Sequence, residues 1–259
     1  MPTERKHVAG PTIRAVHPWV PGNLEKGHRH QLLSDNERAV LARIASIVRF
    51  KKGEQIYHEG GDAEAVFTII SGVVIAHRSL AGGEHVIAFL HTSDLFGLSE
   101  EGRYTNATRA ATPVVAYKMP LPALRRVLDS NPDLDVEIII KLCEGLRGAQ
   151  RHAIVLSQKR AATRLAMFLD LQEHLQIGRG EAASEIYLPM DRSSIAAYLG
   201  VTLAAVSRAF RTLVSRKIIS LRDRSHVKIL DRDAFHGIIE AGSSTWELDA
   251  AQAAAGRRF

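Results

Sequence analysis

Residues 188–217 read LPMDRSSIAAYLGVTLAAVSRAFRTLVSRK, and this stretch decides the architecture of the C-terminal part of the chain. Asp191 carries the short carboxylate that caps a helix N-terminus, and Ile195, Ala196 and Leu199 then share one apolar face. Gly200 falls where a tight turn requires left-handed backbone. Thr202 is placed to cap a second helix whose buried face would be Val206, Phe210 and Leu213. The opposite face carries Ser207, Arg208 and Arg211. Helix, glycine turn and a second helix with a cationic outer face make a helix-turn-helix. Such a second helix fits the major groove of double-stranded DNA, where Arg can bond guanine O6 and N7 together. This places Ser207 and Arg208 on bases, with Thr202, Leu203, Ala204 and Arg211 beside base edges or phosphates.

Charge points the same way. The 259 residues hold 34 Lys and Arg against 28 Asp and Glu, a net +6 at neutral pH. Residues 191–230 alone hold Arg192, Arg208, Arg211, Arg216, Lys217, Arg222, Arg224 and Lys228 against Asp191 and Asp223, which is again +6. That concentration is an electrostatic footprint for phosphate. Ile218–Leu221 and His226–Leu230 flank the turn RDRS and read as a wing with a cationic tip. Arg222 and Arg224 on the wing, and Arg192 at the first helix, are then phosphate contacts. An ordinary helical pair with a solvated basic face is the alternative, and pattern, charge and wing together weigh against it.

Upstream, the texture changes three times. Residues 1–33 are a basic leader punctuated by Pro and Gly, with no apolar period. Ser34 suits the cap of a short helix over DNERAVLARIASIV, with Leu41, Ile44, Ala45 and Val48 on one face. From 49 to 120, short β-branched runs are cut by glycines, which predicts a compact β sandwich or barrel. From 121 to 157 the pattern is helical, and Ile139, Leu142, Leu146, Ala149, Ala153 and Leu156 step by three and four. That seam suits pairing with a second copy, or packing on its own domain. A further helix precedes the loop IGRGEAAS, and the tail from 241 is small and alanine-rich, with Trp246 available to dock it.

Several function classes are excluded. One cysteine, Cys143, allows no internal disulfide, no Cys-only zinc site and no cysteine-held cluster within one chain, and it reads as a small inert hydrophobe. No G-x-S-x-G, H-E-x-x-H or P-loop occurs, so no enzyme, metal or cofactor is expected. No secretory signal and no membrane span is present, which predicts a cytoplasmic protein without a membrane partner. The leader histidines His7, His17, His28 and His30 lack a completing ligand set and read as solvated.

Over about residues 34–236 the chain resembles the CRP/FNR family of bacterial transcription regulators. KKGEQIYHEGGDAEAVFTIISGVV (51–74) is similar to the family's cyclic-nucleotide-binding-type β-roll, and SDLFGL (93–98) to its D-x-F-G turn. KRAATRLAMFLDL (159–171) followed by the stretch from Leu188 is similar to the FixK-like branch. The resemblance implies an α+β fold: a β-roll over 34–120, a dimerisation helix over 121–157 and a winged helix-turn-helix over 158–240. It also implies a homodimer, each unit reading half of a palindromic operator, with RNA polymerase as a partner.

Two departures stand out. Family recognition helices of this type read E-x-x-S-R; Ser207 and Arg208 match, but Ala204 replaces the glutamate. A methyl cannot accept from cytosine N4, so the usual half-site is not expected unaltered. Members that bind cAMP carry F-G-E and a later arginine. Here Phe96 and Gly97 match, Leu98 replaces the glutamate, and Tyr104 and Thr105 stand where the arginine and its neighbour belong, although a shifted register would bring in Arg103. The expectation is a regulator that does not depend on cAMP and lacks an iron–sulfur cluster. The alternatives are gating by another small molecule in a pocket of Gly97, Leu98, Tyr104 and Thr105, or by haem through His77, His85 or His91. A nucleotide-sensing module that binds no DNA is the remaining reading.

Overall fold

A computed structural model of the chain describes residues 35–99, 101–181 and 184–241. The leader with its histidines, the Ser34 cap and the tail beyond 241 with Trp246 lie outside the described residues. The N-terminal part contains α1 (Asp35–Ile44), β1 (Ser46–Phe50), β2 (Gln55–Tyr57), β3 (Ala65–Ser71), β4 (Val74–Leu80), β5 (Gly83–Leu90), β6 (Leu95–Phe96), β7 (Ala107–Ala110) and β8 (Val114–Pro120). These form two antiparallel four-stranded sheets, ordered β1-β8-β3-β6 and β2-β7-β4-β5.

Strand alternation explains why both faces of this roll are covered. On β3, Phe67 and Ile69 point between the sheets and pack with Tyr57, Val74, Phe96, Val114 and Ala116. Val66, one residue off, points outward to Met119 and Leu124, where α1 supplies Leu41 and Ile44. On β4, Val74 faces the inter-sheet core and Ile75 the outer face. Ile75 joins Val73, Val86, Phe89 and Ala111 in an apolar surface too large to leave wet.

Two expected boundaries move. The first helix stops at Ile44, and Val48 lies in β1 opposite Ala116, because SIVRF is β-branched and completes the edge of a sheet. The segment 121–157 is two helices, α2 (Leu121–Asp129) and α3 (Pro132–Ser157). Pro132 removes a backbone donor and restricts the residue before it, so the chain breaks at Asn131 and restarts with proline in the first turn.

The C-terminal part runs α4 (Ala161–Gly178), β9 (Ile186–Tyr187), α5 (Arg192–Leu199), α6 (Leu203–Ser215), β10 (Ile219–Leu221) and β11 (His226–Ile229). The three strands form one small sheet, β10-β11-β9. Residues 232–241 are helical and bury Phe235 and Ile239. Arg232, at the start of that segment, grips the buried Glu173 carboxylate with both guanidinium ends at 2.5 Å. The outer face of the second sheet shares a single core with Leu165, Phe168, Leu169, Ile195, Leu199, Val206 and Phe210. Phe89 of β5 meets both Phe168 (5.9 Å) and Tyr198 (5.2 Å).

Phe168 is therefore a core residue for two parts of the chain at once. Phe168→Ala should cost about 3–5 kcal/mol, read as a lowered urea midpoint. The roll and the C-terminal part should lose structure in one transition in that variant and in the parent.

Candidate functional site

The helix-turn-helix is assembled from local hydrogen bonds. Asp191 Oδ1 accepts the Ser194 backbone N–H at 2.7 Å, which caps α5. Thr202 Oγ1 accepts the Ala205 N–H at 3.2 Å, which caps α6. Between them Gly200 takes φ +61°, and a Cβ there would lie 3.1 Å from Leu156 Cδ2. The turn thus requires glycine twice, for left-handed backbone and for contact with α3. Arg164 of α4 secures the same corner, donating to the Leu199 carbonyl at 2.7 Å and to the Gly200 carbonyl at 3.2 Å.

Val206, Ala209, Phe210 and Leu213 of α6 are buried, and the other face is open. Thr202, Leu203, Ala204, Ser207, Arg208 and Arg211 are all exposed there. Residues 203/204, 207/208 and 211 stack along one stripe because they are four apart. The stripe is two apolar side chains, a hydroxyl and two guanidinium groups. It can follow a groove, bond base edges and neutralise phosphate.

Arg192 is placed differently from expectation. Its guanidinium carbon lies 3.3 Å from the centroid of the Phe210 ring, a cation–π contact between α5 and α6. Its Nη1 is buried without a hydrogen-bond partner among the described residues. Desolvation lowers its pKa to about 10. Arg192 braces the two helices with its Nη1 turned inward, and the residue as a whole is half-buried. On the wing, Arg222 pairs with Glu185 at 2.8 Å, while Asp223 accepts from the Ser225 and His226 backbone and closes the tip. Arg224 is exposed at that tip.

The long helix presents its seam outward. Ile139, Leu142 and Leu146 are 53%, 54% and 60% exposed, and Val136, absent from the sequence reading, joins them. Ala149 and Ala153 are exposed on the same helix, as is Cys143. Leu156 departs from the open stripe: it is half-buried against the Gly200 turn, because the helix-turn-helix folds back on the end of α3.

Of the expected effector residues, Gly97 and Tyr104 lie together, and Leu98 and Thr105 do not join them. Gly97 has φ +87°, and a Cβ there would meet the Ala65 carbonyl at 3.0 Å and the Phe67 ring at 3.2 Å. Tyr104 is buried, donates to the Ala65 carbonyl at 2.8 Å and stacks on Tyr57 at 3.8 Å. Phe67 and Phe96 complete this aromatic plug. Leu98 turns the other way, into the cluster with Val66 and Leu124, and Thr105 is exposed. Leu98 and Tyr104 thus serve two different cores. Arg103 lies outside, donating to the Gly60 carbonyl at 2.9 Å. Among the described residues the space beside Gly97 is filled by Phe67 and Tyr104, with no carboxylate or arginine side chain in that cluster, which does not fit the charge-assisted contacts a cyclic nucleotide needs. Among the described residues no group of three His, Cys, Asp or Glu could hold a metal ion, and no single helix is long and apolar enough to cross a membrane.

The Asp191 cap generates a pH prediction. Burial raises its pKa, but the Ser194 N–H, the Ser193 and Ser194 hydroxyls and nearby Arg109 outweigh this and hold it below the ordinary value of 3.8. A depressed carboxyl stabilises the fold above its unfolded pKa and loses that contribution as pH falls through the native value. Asp191→Ala should cost about 0.5–2 kcal/mol at neutral pH. The gap from the parent should close as denaturation is repeated below about pH 4.

Comparison with known proteins agrees with this geometry. A Crp-like helix-turn-helix domain model matches residues 163–238, and a cyclic nucleotide-binding domain model matches residues 47–131. The nitrogen fixation regulation protein FixK of Azorhizobium caulinodans is 29% identical over 197 residues, 75% of this chain and 79% of that one. The transcriptional activator protein FnrA of Stutzerimonas stutzeri is 29% identical over 184 residues, 70% of this chain and 75% of that one. The solved structure of FixK2 from Bradyrhizobium japonicum superposes with a TM-score of 0.69 at 27% identity, covering 75% of this chain and 97% of that one. The matched helix-turn-helix overturns the reading as a module that binds no DNA. With a roll, a long helix and a cationic recognition helix in this order, the chain belongs to the CRP/FNR family, in its FixK-like branch, and is a DNA-binding transcription regulator.

Proposed function

We propose that the regulator acts as a homodimer on a palindromic operator and needs no cyclic nucleotide to do so. The open cationic stripe of α6 carries the proposal. In it, Ser207 and Arg208 read bases, Leu203 and Ala204 line the groove, and Arg211, Arg222 and Arg224 serve phosphate. The seam Ile139, Leu142, Leu146, Ala149 and Ala153, extended by Val136, supports pairing through α3, since large exposed aliphatic side chains on one helix face favour burial against a copy. The pairing gives two recognition helices related by a two-fold axis, which matches a palindrome with half-sites about one helical turn apart.

The aromatic plug over Gly97 supports independence from cAMP. A single cysteine supports the lack of a cysteine-held iron–sulfur cluster, because such clusters need four ligands. RNA polymerase is the further partner, and similarity to FnrA, a transcriptional activator protein, supports activation.

Selection from a random duplex library by ligand-free protein, at fixed salt, should recover a palindrome in which the step facing Ala204 differs from that read by a glutamate. Recovery of no sequence would overturn the reading. Arg208→Ala should lose about 1–3 kcal/mol at a single base step and relax specificity there. Equal weakening on all sequences would make Arg208 a phosphate contact instead.

Leu146→Glu places a carboxylate in the seam. It should shift the protein to monomer in sedimentation and abolish binding to the full palindrome while the fold is kept. Titration of the parent with cAMP should show no heat at concentrations up to about 1 mM, where even a weak site of about 4 kcal/mol would register.

A further inference from the structure

The first turn of α5 is held from outside its own domain by one charged side chain. Arg109 stands on β7 of the roll, and its Nη2 donates to Glu84 Oε1 at 2.7 Å. The same nitrogen reaches Ser194 Oγ at 3.2 Å. Ser194 is 1% exposed and lies in the first turn of α5, and its N–H is the one that Asp191 caps. The side chain of Arg109 is itself only 24% exposed and belongs to the junction, not to the open stripe of α6.

The surrounding junction is apolar. Val73, Ile75, Val86, Phe89 and Ala111 of the roll pack against Ile195, Ala196 and Leu199 of α5. Apolar burial is strong but non-directional, so it tolerates sliding and tilting of one surface on the other. A charge-assisted hydrogen bond is directional and fixes orientation. Further polar ties reach the far end of α5: His152 of α3 bonds the Tyr198 carbonyl at 2.7 Å, and Arg164 bonds Leu199 and Gly200. Only with the near end also held does α5 have one orientation relative to the roll. The caps and the Phe210–Arg192 contact pass that orientation to α6.

We infer that Arg109 is a positioning residue that sets the distance between the two recognition helices, and hence the half-site spacing the regulator accepts. This rests on the dimeric operator reading above. Successive base pairs are about 3.4 Å apart along each strand, so a small change in the docking angle of α5 suffices to move α6 by one step. Arg109 touches no base in this scheme, so half-site sequence preference stays as it is.

The test is selection by the full-length protein from a library that fixes the enriched half-site and varies the spacer base by base. The parent should prefer one spacing over its neighbours by about tenfold, the worth of one hydrogen bond to a charged group. Arg109→Ala should accept adjacent spacings within about threefold of one another while the half-site itself is unchanged. Arg109→Lys keeps the charge but is a point donor, and should fall between. If Arg109→Ala fails to fold, Ser194→Ala removes the acceptor, together with that hydroxyl's bond to Asp191, leaves the Ser194 N–H cap in place and should broaden spacing in the same way. A single unchanged spacing in whichever of these variants folds would overturn the inference and leave the operator reading intact. Enrichment of isolated half-sites by the parent, without a preferred pairing, would remove both.

Discussion

Tyr198 is where three parts of the chain meet. Its ring stacks on His152 of α3 at 3.9 Å, and tilts against Phe89 of β5 at 5.2 Å and Phe168 of α4 at 5.5 Å. Burial drives its hydroxyl pKa up to about 12, so the ring is a permanent neutral part of the core. The roll, the long helix and the helix-turn-helix thus share an apolar floor and are not separate units on a string. The position of α6 depends on this floor, because α5 sits on it and α6 sits on α5.

Charged side chains divide into two groups by depth. Arg164, Arg192 and the Glu173–Arg232 pair act inside the fold, bonding helix ends, an aromatic face and each other. Each is held by a specific partner, as partly buried charge must be. Arg208, Arg211 and Arg224 lie on the outside of the same domain. Net charge over 191–230 counts Arg192 and the exposed arginines alike, although the Arg192 guanidinium lies over the Phe210 ring. The electrostatic signal in the sequence is therefore an upper bound on the contact surface.

The helix-turn-helix was legible from residues 188–217 because its determinants are local: two caps, one left-handed glycine and apolar residues at helical spacing. The β-roll was legible as a class from glycine-cut β-branched runs. Boundaries were less so. Val48 fits a helical period and a strand equally well, and pairing with Ala116, far along the chain, decides it. Arg192 reads from the sequence as a phosphate ligand, and nothing local reveals that Phe210 will lie under it. Leu98 and Tyr104 looked like neighbours, six residues apart, but strand alternation and the turn at Gly97 send them into different cores. Arg109, Ser194, His152 and Tyr198 had no local signature at all, since their roles exist only once distant segments dock.

The aliphatic seam of α3 has a consequence for control. If α3 pairs with a copy of itself as proposed, assembly is a second-order event. While monomer is in excess, the amount of paired protein rises with the square of the total, so a twofold rise in synthesis yields about a fourfold rise in the paired form. Such a chain converts a modest change in its own abundance into a steep change in occupancy. Under the dimeric reading proposed above, in which no cyclic nucleotide is needed, abundance is the quantity that sets occupancy.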